Sequence, residues 1–241
     1  MPDLDGAVPD LDGRAAHDQG PARPAPGGAG SDAGSDAGCD AVLLAGGRAS
    51  RVDGVDKTAF TSGDATLLDR AVEASAGART LVVVGLREGR VPPVGALLTR
   101  EQPAWSGPVT ALAAGLDVVP RPAPWTLVLA CDLPRAPDAV RALLEDGGRH
   151  DGVGERRDGL LAVDSGGRRQ PLLGLYRTGA LQDRLEALRA EGPLAGLSLR
   201  RLLDGLDLLE VPVPDELSAD VDTVADADRL GVVRHESHPT G

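Results

Sequence analysis

Leu81-Val82-Val83-Val84 and Leu127-Val128-Leu129 contain no polar residue. A strand that is apolar on both faces needs a sheet that is covered on both sides. These runs sit in strand-like segments at 80–85 and 125–131. Similar segments occur at 40–46 and 96–99. Stretches with apolar residues at helical spacing follow or intervene at 67–76, 109–119 and 137–145. This alternation predicts a doubly wound α/β fold with a mostly parallel sheet. Farther on, strand-like segments at 160–163 and 171–176 are joined by Asp164-Ser165-Gly166-Gly167-Arg168-Arg169. That connection is too short for a helical crossover and predicts antiparallel pairing. Helical spacing returns at 179–190 and 197–203, then a strand at 208–213 and a terminal helix at 224–230.

Residues 1–38 are almost all Asp, Gly, Ala and Pro, and Pro2-Asp3-Leu4-Asp5-Gly6 is echoed by Pro9-Asp10-Leu11-Asp12-Gly13. Such a stretch cannot bury enough apolar surface to offset an ordering cost of roughly 1–2 kcal/mol per residue. The expected organisation is a disordered tail at 1–38, one domain at 39–232 and a frayed end at 233–241. No apolar run approaches the roughly 20 residues that span a bilayer, and the start lacks the basic-then-apolar order of a secretion signal. The expectation is a soluble, cytoplasmic protein with no membrane partner. Cys39 and Cys131 are the only cysteines, too few for a disulfide framework or a thiolate zinc site. The net charge of −12 and the 2% aromatic content work against nucleic-acid binding, which draws on Lys, Arg and stacking rings. A free nucleotide needs only a few local cations and a metal.

The segment Leu44-Ala45-Gly46-Gly47 runs from the first strand into a loop that carries Arg51 and Lys57. Adjacent glycines let backbone N–H groups approach an anion, and ligands of open α/β sheets bind outside the carboxyl ends of strands. The same glycines also suit an ordinary turn. Cys131-Asp132-Leu133-Pro134 puts a carboxylate at the end of the fourth strand, where Asp132 could hold Mg²⁺ on phosphate oxygens or cap the following helix. Asp222 could add a second metal carboxylate or cap the last helix, and Asp220 competes for that role. Trp105 could cover a ligand or pack under its loop. Gly107-Pro108 at a helix start would present free N–H groups to an anion. Gln170 offers an amide to a polar substrate, or is simply an edge residue. The four His lie in the tail, a loop and the frayed end, and no Ser-His-Asp arrangement is credible.

Leu44-Ala45-Gly46-Gly47 with Arg51 and Lys57, Gly107-Pro108, Cys131-Asp132-Leu133-Pro134, Gln170-Pro171-Leu172 and Asp222-Thr223 together resemble the signature of the molybdenum cofactor guanylyltransferases. These belong to the wider group of nucleotidyltransferases with a Rossmann-like domain. The resemblance spans about residues 40–231 and implies transfer of GMP from GTP-Mg²⁺ to the phosphate of molybdopterin, with release of pyrophosphate. It implies that Leu44 to Gly47 and Gly107 bind the nucleotide, that Arg51 and Lys57 act on its phosphates, and that Asp132 and Asp222 bind Mg²⁺. Trp105 and Gln170 would face the acceptor, and delivery proteins for molybdoenzymes are possible partners. Where the family has Gly-Pro-Leu-Ala-Gly-Leu, this chain has Gly107-Pro108-Val109-Thr110-Ala111-Leu112. The expected string stands instead at Gly192-Pro193-Leu194-Ala195-Gly196-Leu197, which reads as coincidence. Thr223-Val224 replaces the family's Thr-Pro, which makes the start of the last helix less rigid. Two rival functions remain: a CTP-using or other-acceptor nucleotidyltransferase of the same fold, and a nucleotide-binding protein without catalysis.

Overall fold

The computed structural model describes residues 38–46, 51–52, 55–56, 58, 60–149, 157–221 and 223–234. The expected tail, apart from Gly38, lies outside the described residues, as do Gly47, Lys57, Asp222 and residues 235–241. In chain order the elements begin with β1 (Cys39–Leu44), β2 (Arg51–Val52), β3 (Val55–Asp56), β4 (Phe60–Ser62), β5 (Ala65–Thr66) and α1 (Leu67–Ala74). Next come β6 (Leu81–Val84), β7 (Leu97–Thr99), α2 (Pro108–Asp117), β8 (Trp125–Ala130) and α3 (Ala136–Arg149). The chain continues with β9 (Gly159–Val163), β10 (Arg169–Arg177), α4 (Thr178–Glu191), α5 (Leu199–Leu203), β11 (Leu208–Pro212), α6 (Asp215–Ser218), α7 (Val224–Arg229) and β12 (Val232–Arg234).

Seven strands form one sheet in the order β11-β9-β10-β8-β1-β6-β7. Only β10 runs against its neighbours, pairing antiparallel with β8 and β9, while the other pairs are parallel. The predicted mostly parallel sheet with one antiparallel strand is therefore the observed one. Along β1, Val42 and Leu44 enter one apolar layer with residues of α2, α4 and α5, and Ala41 and Leu43 enter a second layer with α1 and α3. Both faces of the strand are covered, which is why its sequence does not alternate. On α2, a Cβ at Gly115 would fall 2.6 Å from a methyl of Val42, so the lack of a side chain lets the helix lie close on β1. Ala111, where the family pattern has glycine, is buried in the same layer, so its methyl fills core.

Sequence reading missed a small sheet of order β12-β4-β5. Ser62 pairs with Ala65 across the two-residue turn Gly63-Asp64, and Gly63 has φ 66°. A glycine at the first central position favours such hairpins. Val232 to Arg234 pair with β4, which corrects the expected frayed end at 233: Val233 and Arg234 belong to a strand. Phe60, Leu67, Val221, Ala227 and Val232 form a separate apolar cluster beneath this sheet. No helix among the described residues is long and apolar enough to cross a membrane.

Candidate active site

Strands β8, β1, β6 and β7 are parallel, so their carboxyl ends share one rim. At this rim the N–H of Cys131 donates to the Leu44 carbonyl (3.2 Å), and the N–H of Ala45 donates to the Val84 carbonyl (2.9 Å). The ladder thus holds β1 on both sides up to its last residue, with Leu44 and Ala45 buried. Gly46 comes next. A Cβ there would lie 3.0 Å from the Cα of Gly85, and a Cβ on Gly85 would lie 2.8 Å from the Cα of Gly46. Glycine at 46 therefore has a packing reason, distinct from both the ligand cradle and the ordinary turn that its sequence suggests. Gly85, with φ 78°, is the partner that was missed. Its available signal was its place directly after β6, where Gly46 nearly stands after β1. The backbone of Arg51 pairs with that of Asp56 in the short β2–β3 ladder.

On the other side of β1, Asp132 follows β8 and is half-buried. Helix α3 begins only at Ala136, so Asp132 is not its N-cap. The Asp132 carbonyl accepts the N–H of Val221 (3.1 Å), a bond between segments far apart in sequence. Val221 is fully buried in the cluster of Phe60 and Leu67, which anchors the Asp220-Val221 backbone against Asp132. Asp220 is exposed. The cap of α7 is Thr223, whose hydroxyl accepts the N–H of Asp226 (3.1 Å) while the Asp226 carboxylate accepts the N–H of Thr223 (2.9 Å). This capping box gives the N-cap of α7 to Thr223, where the sequence alone also suits Asp222. It also firms the helix start that the missing proline was expected to loosen. The Thr223 hydroxyl, with Arg229 adding to it, holds the Asp226 carboxyl below its ordinary range.

Gln170 lies on β10 before a bulge that separates it from Gly174. Leu173 pairs with Leu129, so Gln170 runs on beside the segment that follows β8. Its amide nitrogen is 3.5 Å from the Asp164 carboxylate. The buried Tyr176 hydroxyl donates to the Pro171 carbonyl (2.8 Å) and so ties down the bulge; burial pushes that phenol well above its usual range. On the β6 side, the N–H of Gly85 donates to the Thr99 carbonyl (2.9 Å), which links Gly46 and Gly85 to the loop 100–107. That loop carries Trp105 and ends at Gly107, the N-cap of α2, with φ 113° and no side-chain capping bond. The N–H of Gly196 donates to the Ser106 carbonyl (2.8 Å). The segment Gly192 to Leu197, read from sequence as coincidence, therefore lies against Gly107-Pro108.

Sequence-predicted residues thus fall into two groups flanking β1. Asp132, Gln170 and Asp220-Val221 stand toward β8 and β10; Gly46, Trp105 and Gly107 stand toward β6 and β7. A cleft of about 360 Å³ lined by Arg70, Arg135, Arg141, Glu73 and Asp138 includes none of them. Its guanidinium groups are paired with Glu73 and Asp138.

The signature described as MobA-like NTP transferase domain matches residues 41–209. A molybdenum cofactor guanylyltransferase of Nitrobacter hamburgensis is 30% identical over 154 residues, covering 61% of this chain and 71% of the relative. Among solved structures, molybdopterin-guanine dinucleotide biosynthesis protein A from Archaeoglobus fulgidus superposes with a TM-score of 0.56 at 22% identity, over 80% of this chain and 96% of that one. Rv0371c from Mycobacterium tuberculosis superposes with a TM-score of 0.61 at 18% identity, over 81% and 98%.

Proposed function

Because this chain belongs to the MobA-like NTP transferase domain family, we propose that it transfers GMP from GTP to the terminal phosphate of molybdopterin. An acceptor phosphate oxygen forms a bond to the α-phosphorus, the bond from that phosphorus to the bridging oxygen breaks, and the electron pair leaves with pyrophosphate. The phosphate nucleophile is ionised at neutral pH, so no general base is required and the protein's task is alignment and charge neutralisation. The observation that carries the reading is the hydrogen bond from Val221 to the Asp132 carbonyl. It gathers two acidic segments on one side of β1, opposite the glycine-rich side where a nucleotide would lie.

Asp132 with Asp222, or Asp220 in its place, offers hard oxygen donors. Among the described residues no three His, Cys, Asp or Glu side chains form a metal cage. A donor set of one or two carboxylates completed by phosphate oxygens and water fits Mg²⁺. The ion, when bound with the nucleotide, supplies positive charge to the triphosphate. In this reading Lys57 and Arg51 hold the phosphates, the backbone at Leu44 to Gly47 and Gly107 borders the nucleotide, and Gln170 faces the acceptor.

The test is incubation with GTP, CTP or ATP in the presence of Mg²⁺ and molybdopterin, following dinucleotide product and pyrophosphate. GTP alone is expected to yield both. Product from CTP would reassign the base, and GTP binding without pyrophosphate from any nucleotide would leave a binding protein.

A further inference from the structure

Among the described residues, Trp105 is the one non-glycine residue with left-handed backbone, at φ 67°. A bulky side chain keeps that conformation only where its surroundings over-determine it. Here the surroundings do so. Glu101 is only 6% exposed, and its Oε1 accepts the N–H of Trp105 at 2.9 Å. The guanidinium of Arg100 lies over the indole, 6.0 Å from its centroid, and donates to the Leu86 carbonyl at 2.7 Å. Ser106 Oγ donates to the Pro103 carbonyl at 2.6 Å, and the Ser106 carbonyl is held by Gly196. A buried carboxylate thus fixes one amide of the loop, yet the indole so placed stays 37% exposed. These contacts hold the strained backbone and leave the ring part-exposed, in a chain with only two tryptophans.

We infer that Trp105 is a stacking platform for the planar heterocycle of a substrate, and that Glu101 is the positioning residue that holds it there. The inference rests on the nucleotidyl-transfer reading, in which both substrates carry such a ring: guanine and pterin share a 2-amino-4-oxopyrimidine fused to a second ring. Flat fused rings stack on an indole regardless of which substrate presents them.

Replacing Trp125, which stacks under Arg177 at 4.6 Å, by Trp125→Phe leaves Trp105 as the sole tryptophan. Its fluorescence is then read, with inner-filter correction, on titration with GTP, with tripolyphosphate and with 6-hydroxymethylpterin. Quenching by GTP and not by tripolyphosphate assigns the platform to the nucleobase; quenching by the pterin alone assigns it to the acceptor. If neither ring quenches while calorimetry shows GTP bound, the inference falls and nucleotidyl transfer stands. If calorimetry shows no binding of GTP or CTP and the pterin does not quench, both fall.

Kinetics test Glu101 separately. Trp105→Gly, which suits the left-handed backbone, should raise KM for the stacked substrate about tenfold with kcat little changed. Glu101→Ala should give the same KM shift, and Glu101→Gln, which keeps an accepting oxygen, should restore it. An unchanged KM in Trp105→Gly overturns the platform whether or not Glu101→Ala folds. If Glu101→Gln fails to differ from Glu101→Ala, the positioning role is overturned.

Discussion

On the β6 side of β1 the rim is made of touching backbones, whereas on the β8 side it is made of carboxylates hung from an apolar anchor. Gly46 and Gly85 approach so closely that either Cβ would intrude on the other. Asp132 and Asp220 instead flank a hydrogen bond whose far end, Val221, is fixed by burial with Phe60, Leu67, Ala227 and Val232. A side chain added on the first side disturbs the fold itself. A carboxylate removed on the second leaves the anchor in place. Glycines at such a rim can therefore be structural, whereas the acidic residues beside them are, under the proposed function, there for the metal.

Asp132→Ala should show the largest effect: turnover falls about 100-fold or more, close to 3 kcal/mol in barrier, while urea unfolding shifts by less than about 1 kcal/mol. A large loss of stability with unchanged turnover would erase the contrast. Gly85→Ala is the reverse case. It adds a Cβ 2.8 Å from the Gly46 Cα at a residue with φ 78°, so strain and overpacking together should cost about 3 kcal/mol in urea unfolding. Stability within error of the parent would show that the two backbones separate freely.

The central sheet was legible because β1, β6 and β8 lie between two helical layers and carry the runs Ala41 to Leu44, Leu81 to Val84 and Leu127 to Ala130, apolar on both faces. The reversal at β10 was legible because its connection to β9 is short. Strands β4, β5 and β12 escaped because they are two or three residues long, too short to show a period; only the Gly63-Asp64 pair hinted at the hairpin. In the candidate site, the place of Asp132 at the end of an apolar strand was legible. The bond from Val221 to Asp132 was not, since it joins segments about ninety positions apart and no local pattern encodes it. Gly46 was noticed for the right position and an incomplete reason, because its neighbour Gly85 becomes one only when β1 and β6 pair.

Thr223→Ala gives the smallest effect and examines the acidic side from its edge. The substitution removes the hydroxyl that caps α7 and bonds the Asp226 carboxylate (2.7 Å), and loss of such a cap costs about 1 kcal/mol. Asp226 is held below its ordinary carboxyl range chiefly by that hydroxyl. A depressed carboxyl stabilises the fold above its unfolded value, and that contribution disappears as pH falls through the folded value. The deficit of the variant should therefore be full at pH 7 and narrow below about pH 4, as read from urea midpoints at the two pH values. Because Val221 is seated by Phe60 and Leu67 and not by the cap, KM for GTP should change less than about threefold. A tenfold rise would mean that the cap, more than the apolar anchor, carries the acidic segment.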